Sequence, residues 1–273
     1  MDILIKLGRI DRRILYLVMA VLLLYPLVRP LGLPVSVSSW TQQAFDSVDA
    51  LKPGDKVVID FYYTPAGMAD IHPQTVAVFE HLMQKGVKVI CVAFYEQGVG
   101  LADNLIREHE AKGRVYGEDF VHLGFMAGIE TAMSAFVNDI PRAVPRDYRG
   151  NRIEDLPIMQ GVKDLSDVQM LLYFTSTLTP EIWVRQAEPF GIPIVAGVIT
   201  VMGPQAEPFL HSGQLAGLMV GMRHGAEYEV LSENPGPAVA AMDAQSIAHL
   251  LIIGFIIMGN LAYFAERSSQ TRR

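Results

Sequence analysis

Asp60 stands inside the apolar run VVIDFYY (57–63), where a carboxylate needs a hydrogen-bonding partner or a raised pKa. With Glu96 it is one of two acids placed to act as a general acid or base. Hydroxyl and amide groups gather just past short β-branched runs: Tyr62, Tyr63 and Thr64 in one place, Tyr95, Glu96 and Gln97 in a second, Thr175, Ser176 and Thr177 in a third. Carboxyl ends of parallel strands are where open α/β sheets hold small ligands, so these residues form a candidate ligand site. Asp60 also admits a plainer role as an acceptor of local hydrogen bonds, and tyrosines at strand ends often only pack.

Other chemistries find less support. In EQGVGLAD (96–103), Gly98 and Gly100 match the first two glycines of G-x-G-x-x-G, but Asp103 fills the third place. That carboxylate would repel a pyrophosphate, and the turn follows the second apolar run instead of the first. The seven histidines are scattered, with no H-E-x-x-H or C-x-x-C spacing. Glu108, His109 and Glu110 read as a solvated helix face. No G-x-S-x-G elbow occurs, and the single cysteine, Cys91 in VKVICVAF (87–94), reads as a small buried hydrophobe. No metal and no cofactor are expected.

The elements that must position these groups alternate. KVVIDFYY (56–63), VKVICVAFY (87–95), DFVHLGF (119–125), VQMLLYFTS (168–176) and IPIVAGVIT (192–200) read as strands; 72–86, 100–113, 128–140 and 179–191 read as helices between them. The expectation is an α/β fold: an open, mostly parallel five-stranded sheet in the order 3-2-1-4-5, with helices on both faces and a crevice between the first and fourth strands. The pattern resembles Rossmann-like and periplasmic-binding-like domains, a likeness of fold that carries no function. The proline- and charge-rich connection 141–167 is too long for an ordinary loop and reads as functional or embracing.

Both ends are apolar. Ile14–Leu27 and Ile247–Phe264 contain no charged residue. The second run has the length of a membrane span; the first has it only if the helix continues through Val28–Val37 past Pro26 and Arg29, or if flanking residues snorkel. Lys6, Arg9, Arg12 and Arg13 precede the first run, and Arg267, Arg272 and Arg273 follow the second. Basic flanks stay cytoplasmic. The expectation is therefore a cell-membrane protein with two spans and both termini cytoplasmic. Residues 1–37 would form a basic tail and N-terminal transmembrane anchor, 38–245 a periplasmic or extracellular α/β domain, and 246–273 a C-terminal transmembrane helix and basic tail. No small-x-small cleavage site follows the first run, which argues against a signal peptide. The net charge is −7. The first thirteen residues hold four basic and two acidic groups and the last nine hold three and one, so the remainder carries −11. Such an acidic body is not a nucleic-acid partner.

In HSGQLAGLMVGMRHGAEYEVL (211–231), glycines recur at Gly213, Gly217, Gly221 and Gly225. Read as a helix, this spacing makes a flat glycine-zipper face for close approach of another backbone, either the protein's own sheet or a second subunit. The leading functional expectation is a doubly anchored, non-catalytic structural or assembly subunit, a scaffold in a homo-oligomer or beside other membrane-protein subunits. The alternatives are an extracytoplasmic small-molecule sensor or binding module, and a membrane-tethered hydrolase or transferase using Asp60 or Glu96.

Overall fold

The computed structural model describes residues 11–177 and 180–270. Lys6, Arg9, Arg272 and Arg273, and the start of the helix expected over 179–191, lie outside the described residues. The chain forms two compact units, Val35–Asn234 and the terminal segments Met1–Pro34 with Pro235–Arg273.

Along the chain the first helix is α1 (Arg12–Val28). The larger unit runs α2 (Ser39–Asp49), β1 (Lys56–Tyr62), α3 (Met68–Lys85), β2 (Lys88–Ala93), α4 (Gly98–Ala111), β3 (Phe120–Phe125), α5 (Ile129–Asn138), α6 (Ile140–Ala143), β4 (Met170–Thr175), α7 (Glu181–Ala187), β5 (Ile194–Val198), α8 (Gly203–His211), β6 (Gly217–Val220) and α9 (Gly221–Leu231). The last helix, α10, spans Pro237–Gln270. The α/β expectation holds, and the strand order is β3-β2-β1-β4-β5-β6 with every pairing parallel. The sheet has six strands, not five.

Alternation along β1 sorts its side chains to opposite faces. Val58 and Tyr62 join a core with Met133 and Phe136 of α5, Trp183 of α7 and Leu210 of α8. Val57, Ile59, Phe61 and Tyr63 join one with Ala44 of α2, Val78 and Leu82 of α3, Ile106 of α4 and Tyr228 of α9. Helices thus cover both faces, which is why the central strands read as continuous apolar runs.

The extra strand comes from the glycine-spaced segment, which is not one helix. It folds as the end of α8, a turn, β6 and α9, and its glycines serve separate ends. Gly213 and Gly221 take left-handed backbone, φ 77° and 66°, which glycine adopts without steric cost. Gly217 lies within β6 where α2 crosses closely: a Cβ there would stand 2.7 Å from both the Cβ and the backbone nitrogen of Ala44. Gly225 is buried inside α9. The zipper face therefore does not form, because the left-handed residues break the helix it needs. Glu227 of α9 is fully buried and accepts hydrogen bonds from Ser38 N–H, Ser38 Oγ, Thr41 Oγ1 and Arg223 Nε at 2.7–2.9 Å. It thereby ties down the N-terminus of α2.

The connection 141–167 is embracing. It runs from α6 through three short 3-10 turns along the outer edge of β3. Tyr148 N–H donates to His122 O (2.8 Å) and Ile158 N–H to Gly117 O (2.9 Å). Arg149 donates to both Glu110 carboxylate oxygens at 2.7 Å and lies 3.8 Å over the Tyr116 ring. These contacts occupy an edge that would otherwise invite pairing with another chain.

In the terminal unit α1 packs along α10. Asp243, almost fully buried, accepts the backbone N–H groups of Leu31 and Gly32 on Oδ2 (2.6 and 2.9 Å) and of Leu33 on Oδ1 (3.0 Å). The chain just past α1 is thus pinned to the first turns of α10. Over Pro237–Arg267, α10 is long and apolar enough to cross a membrane, and it is the one described helix that meets both conditions. The expected N-terminal counterpart falls short. α1 stops at Val28, with Pro26 inside it and extended backbone at Arg29, so Val28–Val37 does not prolong it. Its 17 residues span about 26 Å, against roughly 30 Å of bilayer hydrocarbon.

Candidate functional site

The sequence placed a crevice between β1 and β4, and here the described residues bond to one another. Thr64 N–H donates to Ser176 Oγ (3.0 Å), and Ser176 N–H donates to Tyr62 O (3.3 Å). Thr64 Oγ1 accepts Gly67 N–H at 3.2 Å, and Gly67 packs so tightly that a Cβ on it would lie 2.9 Å from Ser176 Oγ. Thr175 is buried, with its Oγ1 accepting Thr177 N–H (3.2 Å). Tyr63 points to the opposite face of the sheet, where it is fully buried and bonded through its hydroxyl to His72 Nδ1 (2.9 Å). Thr64, Thr175, Ser176 and Tyr63 are thus spent on structure.

The remaining candidates meet one strand further out. A cavity of about 300 Å³ opens at the carboxyl ends of β1, β2 and β3, lined by Tyr62, Tyr95, Glu96 and Gln97 together with Phe94, Phe125 and residues 127–129. A larger hollow of about 620 Å³ lies between α5 and Gln186, but it has no aromatic wall and sits away from the strand ends, so the smaller cavity is the better site.

Its walls follow from local structure. Tyr62 ends β1 and is 4% exposed, yet among the described residues its hydroxyl has no hydrogen-bond partner. Its ring lies 5.4 Å from that of Tyr95, inclined by 41°. Burial, then the neighbouring Asp60 and Tyr95, push the Tyr62 hydroxyl pKa up, so it is present as a neutral donor. Glu96 is exposed and has no ion pair among the described residues. Phe125 reaches the cavity because the pairing of β2 with β3 slips between Cys91 and Ala93, the irregularity that re-aims a side chain at a strand end. At the rim, Ile129 has φ 41°, a strained conformation for a β-branched residue.

Asp60 lies beneath this cavity and does not line it. It is fully buried, with Oδ1 accepting Phe94 N–H (3.3 Å) and Oδ2 accepting Trp183 Nε1 (2.8 Å). Burial raises its pKa to about 7, against the lowering effect of those two bonds. Its two hydrogen-bond donors are thus a backbone N–H and an indole N–H.

Phe94, Phe125, Ala127, Gly128 and Ile129 were not anticipated. The signal for them was a glycine inside a weak strand, Gly124, followed by the break FMAGIE (125–130). Among the described residues no group of three or more His, Cys, Asp or Glu is arranged to hold a metal ion. Compared with models of protein families and with curated proteins, the chain matches none.

Proposed function

We propose that this chain is a membrane-anchored, non-catalytic module that binds a small molecule in the cavity at the ends of β1, β2 and β3. The observation that carries this reading is the cavity itself. It sits where parallel α/β sheets bind ligands, and it is lined by polar groups that the fold leaves unused, the Tyr62 hydroxyl and the Glu96 carboxylate among them. The enzymatic alternative loses Asp60, which is bonded beneath the surface, and keeps only a lone carboxylate.

We further propose that the body is held outside the cytoplasm by two spans with both termini inside, the shorter α1 completed by snorkelling of its flanking Arg12 and Arg13. α10 supplies the length. α1 supplies an exposed apolar surface, including Leu17, Val21 and Leu24, behind a basic flank. The test of the binding reading is a thermal-shift screen of the full chain in detergent with small metabolites, repeated with Ala127→Trp, which fills the cavity from an exposed position. A compound that raises Tm for the parent and not for the variant is the expected result. A library that shifts neither protein overturns the reading.

A second reading, the assembly subunit, draws on the uncovered apolar side chains of α1 and α10, among them Ile253, Ile257 and Phe264. Neighbouring spans would cover these as well as lipid does. Native mass spectrometry from detergent distinguishes the two: a defined oligomer supports assembly, and a monomer removes it.

A further inference from the structure

We infer that this cavity takes the cationic head of a small organic ammonium compound, seated on tyrosine and phenylalanine rings with Glu96 as its counter-charge. The inference rests on the binding-module reading and names the class of ligand.

The rings come first. Tyr62, Phe94, Tyr95 and Phe125 are four of the nine lining residues, and the Tyr62 and Tyr95 rings, inclined by 41°, form a wedge in place of a closed stack. The π-face of an aromatic ring carries partial negative charge and attracts a cation within about 6 Å. Charge comes second. No Lys, Arg or His lines the cavity, and Glu96 is the one formal charge on its lining. Asp60 lies beneath Tyr62, close enough to perturb its hydroxyl. Glu96 therefore supplies the one unpaired charge at the lining among the described residues, and it is negative.

One feature opposes a cation. Both α4 and α5 begin at this cavity, and helix N-termini favour anions. Glu96 directly precedes Gln97 at the start of α4 and carries no ion pair among the described residues, whereas Glu130 in the first turn of α5 is paired with Arg185 (2.7 Å). Two N–H groups at the start of α4 are also spent, Gly98 on Tyr95 O (2.9 Å) and Val99 on Glu96 O (3.3 Å). At the start of α4 an anion would meet used donors and the Glu96 carboxylate, beside aromatic rings. A cation meets none of these obstacles. The Tyr62 hydroxyl, unpartnered among the described residues and reachable from the cavity, adds an acceptor for an ammonium N–H or a donor for a ligand hydroxyl.

The test is isothermal titration of the full chain, in a maltoside detergent free of choline heads, with three probes: choline, its neutral isostere in which carbon replaces nitrogen, and acetate. Choline is expected to bind about tenfold more tightly than the isostere. Glu96→Gln, an exposed substitution with no bond to lose among the described residues, is expected to remove that advantage and leave isostere binding unchanged. Isostere or acetate binding as tight as choline overturns the cation assignment while leaving a binding site in place. No binding of any probe, beside a positive metabolite screen, also overturns it; an empty screen takes the binding reading down as well. Repeating the choline titration in bilayer discs of phosphatidylglycerol and of phosphatidylcholine identifies the source. Loss of choline binding in phosphatidylcholine alone assigns the cavity to a lipid head, and equal binding in both assigns it to a free compound.

Discussion

Asp60 illustrates what burial does to a carboxylate that keeps two good donors. The Trp183 indole and the Phe94 amide favour its charged form, yet desolvation is larger and leaves its pKa at about 7. The ordinary value is 3.8, so between these two the folded chain holds a proton that the unfolded chain has lost. The stability this proton represents is fully present below about pH 4 and is lost as pH rises through about 7. Three units correspond to at most about 4 kcal/mol. Asp60→Asn cannot ionise, and its amide leaves one of the two donors unmatched. The variant should therefore be less stable than the parent at pH 4, with the gap narrowing or reversing by pH 8. Denaturant unfolding of both proteins at the two pH values checks this, and a gap independent of pH would show that Asp60 is ionised throughout. Trp183→Phe removes the 2.8 Å donor and should move the transition to higher pH. The sequence showed that Asp60 needed a partner; it did not show which, because Trp183 is 123 positions away and only the packing of α7 on β1 joins them.

At the scale of elements, the difference between reading and structure is sharpest at Gly217. Four-residue spacing is the signature of a helix face, and the same spacing arises when a turn, a strand and a helix start each require a glycine. Nothing local separates the cases, since β6 is only four residues long and its close neighbour α2 is distant in sequence. The five longer strands were legible because burial on both faces gives continuous β-branched runs, and the helices between them because their apolar positions repeat. The cavity was half legible. Tyr62, Tyr95, Glu96 and Gln97 follow from the rule about strand ends, but the Thr64–Ser176 contact between β1 and β4, and the slip that brings in Phe125, are tertiary events. Gly217→Ala tests the packing account. Its methyl group has no room beside Ala44, so α2 must shift, at a cost of roughly 1–3 kcal/mol. Gly213→Ala has open space and pays only for its left-handed backbone, about 1 kcal/mol. A larger loss of Tm at Gly217 than at Gly213, with an unchanged mass in solution, is the expected pair of results. Dissociation of an oligomer by Gly217→Ala without loss of Tm would restore the zipper.

For the whole molecule, the proposal of two spans comes down to α1. Its 17 residues reach across only if the helix stands nearly upright, the membrane thins, and Arg12 and Arg13 snorkel to the surface. Asp243 favours this arrangement, because holding Leu31, Gly32 and Leu33 keeps the end of α1 beside the start of α10 and makes the pair a hairpin. The single native thiol makes the proposal testable. Cys91 is fully buried, and burial pushes its pKa up, so it does not react with an impermeant maleimide. Three reporters then suffice: Ile3→Cys, Glu118→Cys on the exposed surface of the α/β unit, and a cysteine appended after Arg273. Two spans predict labelling at position 118 in intact cells, with both terminal cysteines protected until the membrane is permeabilised. A single span through α10 predicts labelling at positions 3 and 118 together. Protection at 118 in intact cells would place the cavity in the cytoplasm and reverse the orientation drawn from the basic flanks.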